Sequence, residues 1–319
     1  MINSIDEVVK LLKNSNKVAV FCHARPDGDS LGGLLALTIA LKNAGKQAVA
    51  FCEDAPPEKY CFLRAMKEVK TTFLRDEYDL FVSVDCADSS RMGSFAKEFN
   101  KFKGATLNID HHVSNTRFAK YNYVIECPAS CQILVDIFNK AQFEINRQIA
   151  DLLMLGLMTD TGNFVHSDVT AASFLAAAEL RDKGADVQTI NYYMFQRQTR
   201  ARAELYGRVM RNIRYAHDGK FAFVVISAGD IAESGAESSM TEGFVDFPLT
   251  IDGVEVAASI LEFKEGQYKT SLRSKGTVNV NAVASTFGGG GHILASGCML
   301  FGSLEEVIDK LSYAVYQNL

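Results

Sequence analysis

The stretch Lys17-Val-Ala-Val-Phe-Cys-His23-Ala-Arg-Pro-Asp-Gly-Asp29 decides the fold. Its first half is short, apolar and partly β-branched, the pattern of a buried strand. Pro26 and Gly28 then turn the chain. Residues 31–44 have the length and composition of a helix, with Gly45 as its stop. The same punctuation recurs: residues 47–52, 79–85 and 105–110 read as further strands, and helices are predicted over 130–140, 146–158 and 169–183. Strands alternating with helices imply an α/β domain built on a parallel sheet.

Further on the pattern changes. Residues 186–210 are mostly helical and polar, as in a connector. Strand-like runs follow at 220–227, 253–263 and 268–273. A short helix over 280–287 leads into Gly288-Gly289-Gly290-Gly291-His292, then a strand over 295–301 and a helix over 304–316. The expected organisation is a parallel-sheet α/β domain over 1–185, a helical connector over 186–210 and a smaller mixed α/β domain over 211–319.

A length of 319 residues suits two domains, and 48% hydrophobic residues suffice for ordinary cores. Net charge is −5, from 33 basic and 38 acidic side chains. That balance argues against a protein that grips long nucleic acid, which needs a basic stripe for many phosphates. Arg197, Arg200, Arg202, Arg208, Arg211 and Arg214 form a local basic group that reads as a solvated helix face. No apolar run reaches membrane-spanning length, so no membrane partner is expected. Residues 1–17 are amphipathic and lack the basic start and apolar middle of a signal peptide. A cytoplasmic protein is expected. Seven cysteines, among them Cys22, Cys52, Cys61, Cys86 and Cys298 in or beside apolar segments, form no zinc pattern and read as buried free thiols.

The chemistry lies at the ends of the apolar runs. His23, Asp85 and Asp110 end predicted strands, Asp27 and Asp29 occupy the turn after the first, and Asp160 follows an apolar helix. In a parallel sheet the carboxyl ends of the strands share one edge, where ligands bind. Six candidate metal ligands, His23, Asp27, Asp29, Asp85, His111 and Asp160, are thereby brought within reach of one another. Their four carboxylates balance two divalent cations. Asp85, reaching the middle from a strand end, is the natural bridge. Mixed nitrogen and carboxylate donors favour manganese, iron, cobalt or zinc over calcium. Two such ions roughly 3.5–4 Å apart assist in-line displacement at phosphorus.

These motifs resemble the DHH phosphoesterase superfamily over nearly the whole chain. The resemblance rests on His23-x-x-Pro26-Asp27-Gly28-Asp29, on Asp85 with Ser89, Arg91 and Gly93, on Asp110-His111-His112 and on Thr159-Asp160-Thr161-Gly162. Ser271-Leu272-Arg273-Ser274 and Phe287 to His292, followed by Ala295-Ser296-Gly297, resemble the DHH-associated C-terminal domain. Within the superfamily the motifs are similar to those of bacterial oligoribonucleases (nanoRNases) that also dephosphorylate 3′-phosphoadenosine 5′-phosphate. The resemblance implies two divalent metals, manganese before others. His23, Asp27 and Asp85 would hold one. Asp29, Asp85, His111 and Asp160 would hold the second. It also implies that Asp110 orients an imidazole and that His112 meets the substrate phosphate, so that Asp85, Asp110 and His112 carry the catalysis. The family commonly has Gly-Ser after the first motif, where this chain has Gly32-Gly33.

Four consecutive glycines read either as a hinge or as backbone that approaches a ligand closely. The resemblance implies the second: Arg273, Gly288, Gly289, Gly290, Gly291 and His292 hold the terminal phosphate or base end of a short nucleotide, facing the metals across an interdomain cleft. Arg91 is a further candidate phosphate contact, with a salt bridge to a local acid as its alternative. The expected activity is hydrolysis of short oligoribonucleotides to mononucleotides, with 3′-phosphoadenosine 5′-phosphate as a second substrate. A cyclic or linear dinucleotide phosphodiesterase shares the motifs, as does a manganese-class pyrophosphatase apart from its missing glycine motif. A non-catalytic nucleotide-binding regulator is the reading from another class. The sequence leaves a homodimer open.

Overall fold

The computed structural model describes residues 4–74 and 76–319. Met1 to Asn3, which start the amphipathic N-terminal segment, and Arg75 lie outside that set. Strands β1 (Lys17–Phe21), β2 (Gln47–Phe51), β3 (Leu80–Val84), β4 (Ala105–Asp110) and β5 (Tyr121–Val124) form an all-parallel sheet ordered β2-β1-β3-β4-β5. Helices α1 (Ile5–Asn14), α2 (Gly28–Asn43), α3 (Ala96–Lys101), α4 (Ser130–Ala141), α5 (Arg147–Asp160), α6 (Ala171–Asp182) and α7 (Val187–Asn191) complete the first unit. β1, β3 and β4 are buried along nearly all their length, as central strands covered on both faces are. One face packs Leu34, Leu134 and Leu153 of α2, α4 and α5 on Val18, Val20, Val82 and Leu107. The other is aromatic: Phe21, Phe51, Phe81, Phe95 and Phe99 cluster there, with Phe21 and Phe81 centroids 5.1 Å apart. Each such ring contributes roughly 1.5–3 kcal/mol on burial.

Helix α2 is buried from Gly28 to Leu41. Its apolar residues surround it on all sides, which suits a helix enclosed by other elements. It starts three residues earlier than its sequence pattern predicts. The carboxylate of Asp27 accepts from Ser30 N at 2.9 Å, while Ser30 Oγ accepts from Asp27 N at 2.9 Å. This reciprocal cap pulls Gly28 and Asp29 into the first turn, so Asp29 stands on the helix and not on the preceding loop. A Cβ on Gly32 would lie 2.4 Å from the Leu152 carbonyl oxygen of α5, and one on Gly33 2.6 Å from Val84 Cγ1. Packing against α5 and β3 therefore favours the Gly32-Gly33 pair.

The second unit begins at Gln198. Helix α8 (Arg200–Arg211) precedes β6 (Arg214–Ala216), β7 (Phe221–Ile226), β8 (Val256–Lys264), β9 (Gln267–Ser274), β10 (Gly290–Gly291) and β11 (Ala295–Phe301). They form a mixed sheet ordered β10-β11-β9-β8-β7-β6, in which only β7 and β8 pair in parallel. Helices α9 (Ala228–Ser234), α10 (Asp246–Leu249), α11 (Val280–Ser285) and α12 (Leu304–Tyr316) complete it. α11 and α12 cover one face through Val280, Val283, Val307 and Leu311. On the other, Leu205 and Val209 of α8 pack with Phe244 on Val224, Ile226 and Leu261.

The polar stretch expected to connect the domains over 186–210 is divided between the units. Asp186 caps α7 and its N–H donates to Asp151, and Ile190 is buried in the first core. α8 is anchored in the second by Leu205 and Val209. Two of the six arginines over 197–214 are engaged locally: Arg208 pairs with Glu204 and Glu233, and Arg202 donates to the Glu242 carbonyl. All seven cysteines are unpaired, but Cys61 is exposed, because the short turn that buries Tyr60 directs the next residue outward. Among the described residues no helix is long and apolar enough to cross a membrane.

Candidate metal centre

Three adjacent strands deliver the site. The chain leaves β1 into His23, β3 into Asp85 and β4 into Asp110, His111 and His112, all at the carboxyl edge. Asp27 and Asp29 open α2, and Asp160 closes α5. Asp85 sits in the left-handed region at φ 60°, with its N–H donating to the Ile109 carbonyl at 3.0 Å. That backbone turn is one Asp tolerates better than most residues. Its carboxylate, 2% exposed, lies between two imidazoles: Oδ2 is 3.5 Å from His23 Nε2, and Oδ1 is 3.3 Å from His111 Nε2. Asp27 lies 3.4 Å from His23 Nε2, and Asp160 3.5 Å from His111 Nε2. Three donor sets follow among the described residues, His23–Asp27–Asp85, Asp29–His111–Asp160 and Asp85–His111–His112, with donor atoms within 4.8 Å of one another in each; the third shares Asp85 with the first and His111 with the second.

Both imidazoles are aimed by their other nitrogen. His23 Nδ1 donates to the Ala24 carbonyl at 2.8 Å, and His111 Nδ1 to the Cys127 carbonyl at 2.9 Å. This fixes the tautomer that leaves Nε2 a lone pair pointing into the cluster. His111 Nε2 is buried without a hydrogen-bond partner among the described residues. Separations of 3.3–3.5 Å to the carboxylates are long for hydrogen bonds, yet they suit donors arranged around a common ion. The donor chemistry therefore fits divalent cations.

The electrostatics agree. Burial raises Asp160 to about 9, with further upward pressure from Asp29 and Asp85. Burial and the Asp85 charge raise Asp29 to about 7. Burial opposes charge on His23, but Asp27 and Asp85 outweigh it and hold the imidazole at about 10. Burial likewise opposes charge on His111, and Asp85 and Asp29 outweigh it, again to about 10. Asp85 is held low against its burial by His111 and His23. In the metal-free protein, protons supply the positive charge that four crowded carboxylates require.

Asp29 is fully buried, and its two oxygens accept the N–H groups of Ser130 and Cys131, at 2.6 and 2.9 Å, at the start of α4. Ser130 Oγ also donates to Asp85 at 3.2 Å. Gly156 makes room here, since a Cβ on it would lie 2.6 Å from Asp29 Oδ1. Asp110 touches His112: it accepts from His112 Nδ1 at 2.9 Å and from Asn115 Nδ2 at 2.6 Å. His112 is 30% exposed at its side chain, and its Nε2 is left free to meet a ligand. Ser130, Cys131, Gly156 and Asn115 escape the sequence reading. The first three act across about a hundred residues of chain, and only Asn115, five residues from Asp110, leaves a local signal.

Arg91 lies on the same edge. With Arg25, Ser90, His23 and Asp27 it lines a groove of about 950 Å³, and it forms no ion pair among the described residues. The remaining predicted residues belong to the second unit. Arg273, on β9, is opposite Ala295 of β11, and its Nε pairs with Asp246 at 3.2 Å. The glycine run is a β-hairpin closed by His292 and Ala295, whose backbones bond each other at 2.8 and 3.2 Å. Two of its glycines serve the hairpin itself: a Cβ would lie 2.2 Å from the Gly297 carbonyl at Gly289, and 2.6 Å from the Ala295 carbonyl at Gly291. A Cβ on Gly288 would meet open space and one on Gly290 only Asn281 Oδ1 at 3.7 Å, and His292 is exposed.

A parallel sheet carrying carboxylates and imidazoles on its carboxyl edge is an arrangement that can hold divalent ions for hydrolytic chemistry. The DHH family, N-terminal domain, matches residues 17–157, and the DHHA1 domain matches residues 218–318. The chain belongs to the DHH phosphoesterase superfamily, in the branch with a DHH-associated C-terminal domain. The bifunctional oligoribonuclease and PAP phosphatase NrnA of Thermus thermophilus is 29% identical over 99% of this chain and 93% of its own. The Bacillus subtilis protein of the same name is 24% identical over 92% and 93%. The crystal structure of an exopolyphosphatase-related protein from Bacteroides fragilis matches with a TM-score of 0.84 at 25% identity, over 98% of this chain and 95% of that one.

Proposed function

We propose that this chain is a two-metal phosphoesterase that hydrolyses short oligoribonucleotides to mononucleotides and converts 3′-phosphoadenosine 5′-phosphate to AMP, with manganese as the working ion. One observation carries the two-metal reading: the buried Asp85 carboxylate stands between two imidazoles, each fixed with Nε2 inward and each accompanied by further carboxylates. The full-length similarity to bifunctional oligoribonuclease and PAP phosphatase relatives supports the substrate class.

In this reading His23, Asp27 and Asp85 hold one ion, and Asp29, Asp85, His111 and Asp160 the other. Ions held there would supply positive charge near the phosphoryl oxygens and lower the pKa of a nearby water. The chain's own groups do the rest. Asp110 accepts from His112 Nδ1, which turns Nε2 toward the substrate phosphate; the imidazolium form gives its Nε2 proton to the leaving oxygen and is left neutral, with the remaining proton on Nδ1. Arg91 contacts phosphate beside Asp27. In the second unit Arg273, with Gly288 to Gly291 and His292, holds the terminal phosphate of a short substrate through a planar guanidinium and hairpin N–H groups. Seven unpaired cysteines support a cytoplasmic setting.

The test is hydrolysis with added manganese of a diribonucleotide, a 24-mer, 3′-phosphoadenosine 5′-phosphate, cyclic di-AMP and pyrophosphate. Fast turnover of the dimer and slow turnover of the 24-mer is the expected result. Preference for cyclic di-AMP or pyrophosphate would replace the substrate assignment, and no turnover of any of them would leave a nucleotide-binding regulator.

A further inference from the structure

On the second sheet, the face that carries Arg273 is only partly covered. α8 and Phe244 close it over β7 and over Leu261 of β8. Beyond that lies a pocket of about 330 Å³, the low end of the range for small-ligand sites. Its floor is a cross-strand row in which Ser259 of β8 stands opposite Ser271 of β9, which in turn stands opposite Gly297 of β11. Arg273 bounds the floor at one end and Lys269 at the other, and the segment from Ser238 to Val245 forms a wall that includes Glu242. Side chains two apart on a strand share a face, so Lys269, Ser271 and Arg273 point the same way.

The polar groups here are poised for a ligand. Ser259 is 7% exposed, and neither its hydroxyl nor that of Ser271 has a protein partner among the described residues. Lys269 is exposed and forms no ion pair there, whereas Arg273 already has Asp246 on its Nε. The glycine hairpin lies across β11 from β9, with Gly290 opposite Gly297, and the pocket runs along β9 from Arg273 toward Lys269. The two backbones are ~13 Å apart along the strand. Both side chains are long enough to turn inward onto neighbouring phosphates of one extended nucleotide chain.

We propose that this pocket is a second phosphate subsite, in which Lys269 and the hydroxyls of Ser259 and Ser271 take the phosphodiester adjacent to the phosphate held by Arg273. Its ligand is an oligoribonucleotide with at least two phosphates on this unit. The inference rests on the short-RNA reading. It gives that reading a means of counting: an unphosphorylated trimer, with two phosphodiesters, reaches Lys269, and an unphosphorylated dimer, with one, stops at Arg273.

The test is fluorescence anisotropy with 5′-hydroxyl diadenylate and triadenylate, which carry one and two phosphodiesters, each 3′-labelled with fluorescein through a phosphate-free linker, in chelator so that nothing is cleaved. It compares wild type, Lys269→Met and the double variant Ser259→Ala/Ser271→Ala. Lys269→Met should weaken the trimer about 10-fold and the dimer under about 2-fold. The salt dependence of trimer binding should lose about 0.7 from its logarithmic slope, the share of one single-strand phosphate contact. The serine variant should act in the same direction and to a smaller extent. Equal losses for dimer and trimer would make Lys269 part of the terminal-phosphate subsite and overturn the proposal, as would no loss in either variant. Turnover by wild type with manganese is measured alongside. Its absence would remove the short-RNA reading, while a trimer-confined loss in Lys269→Met would still uphold the pocket.

Discussion

The two units handle charge in opposite ways. In the first, four carboxylates and two imidazoles are crowded together, mostly out of water, and each sets its neighbours' protonation. In the second, Arg273 and Lys269 stand on a partly open sheet face, Arg273 paired with Asp246 and Lys269 in no ion pair among the described residues. Crowded, buried charge makes chemistry, because every group depends on an ion being present to balance it. Dispersed, solvated charge makes affinity, because each contact contributes separately. Substitutions should therefore fail together in the first unit and singly in the second.

The largest effect is expected at Asp85. Asp85→Asn preserves shape and tolerates the left-handed backbone, but it removes the buried carboxylate charge that stands between the two imidazoles. Activity on every substrate should fall at least about 1,000-fold and bound metal should be lost, as measured by elemental analysis. Retention of both ions would break the contrast between the units. Asp110→Asn comes next. It leaves the ligand sets intact but no longer fixes the His112 tautomer, so kcat should drop ~100-fold with normal metal content. Arg273→Ala should raise KM about 10-fold, with kcat within about 2-fold and metal unchanged. Loss of metal in that variant would show that the units are not separable. The smallest effect should come from Gly33→Ser, whose Cβ meets Val84: a loss of ~1–3 kcal/mol and a lower Tm by calorimetry, with kcat little altered.

Much of this was legible in the sequence because short apolar runs with polar termini declare both a parallel sheet and its functional edge. His23, Asp85 and Asp110 are found where their strand ends place them. The start of α2 was not, since capping by Asp27 and Ser30 runs against the breaking tendency of Gly28. Strand β5, four residues of mixed exposure at the sheet edge, carries too weak an alternation to read. The grip of Ser130 and Cys131 on Asp29 spans 101 and 102 residues, and no local pattern encodes it. The glycine run reads in the sequence as either a hinge or ligand-facing backbone, and the family resemblance implies the second. The structure shows Gly289 and Gly291 serving their own hairpin, a distinction that only knowledge of the opposing strand supplies.

The measurement that bears most directly on the crowded centre is manganese titration of the metal-free protein by calorimetry, in two buffers of different ionisation enthalpy. At pH 7 Asp160, held at about 9, and the imidazoles, held at about 10, carry protons, and Asp29, at about 7, carries one in part. A bound ion must displace them. Affinity should therefore rise with pH and level off above about 10, once the last of these groups is deprotonated. Two ions per chain, with protons released on binding, is the expected result. A single ion, or binding that neither releases protons nor strengthens from pH 6 to pH 8, would contradict a two-metal centre organised around Asp85.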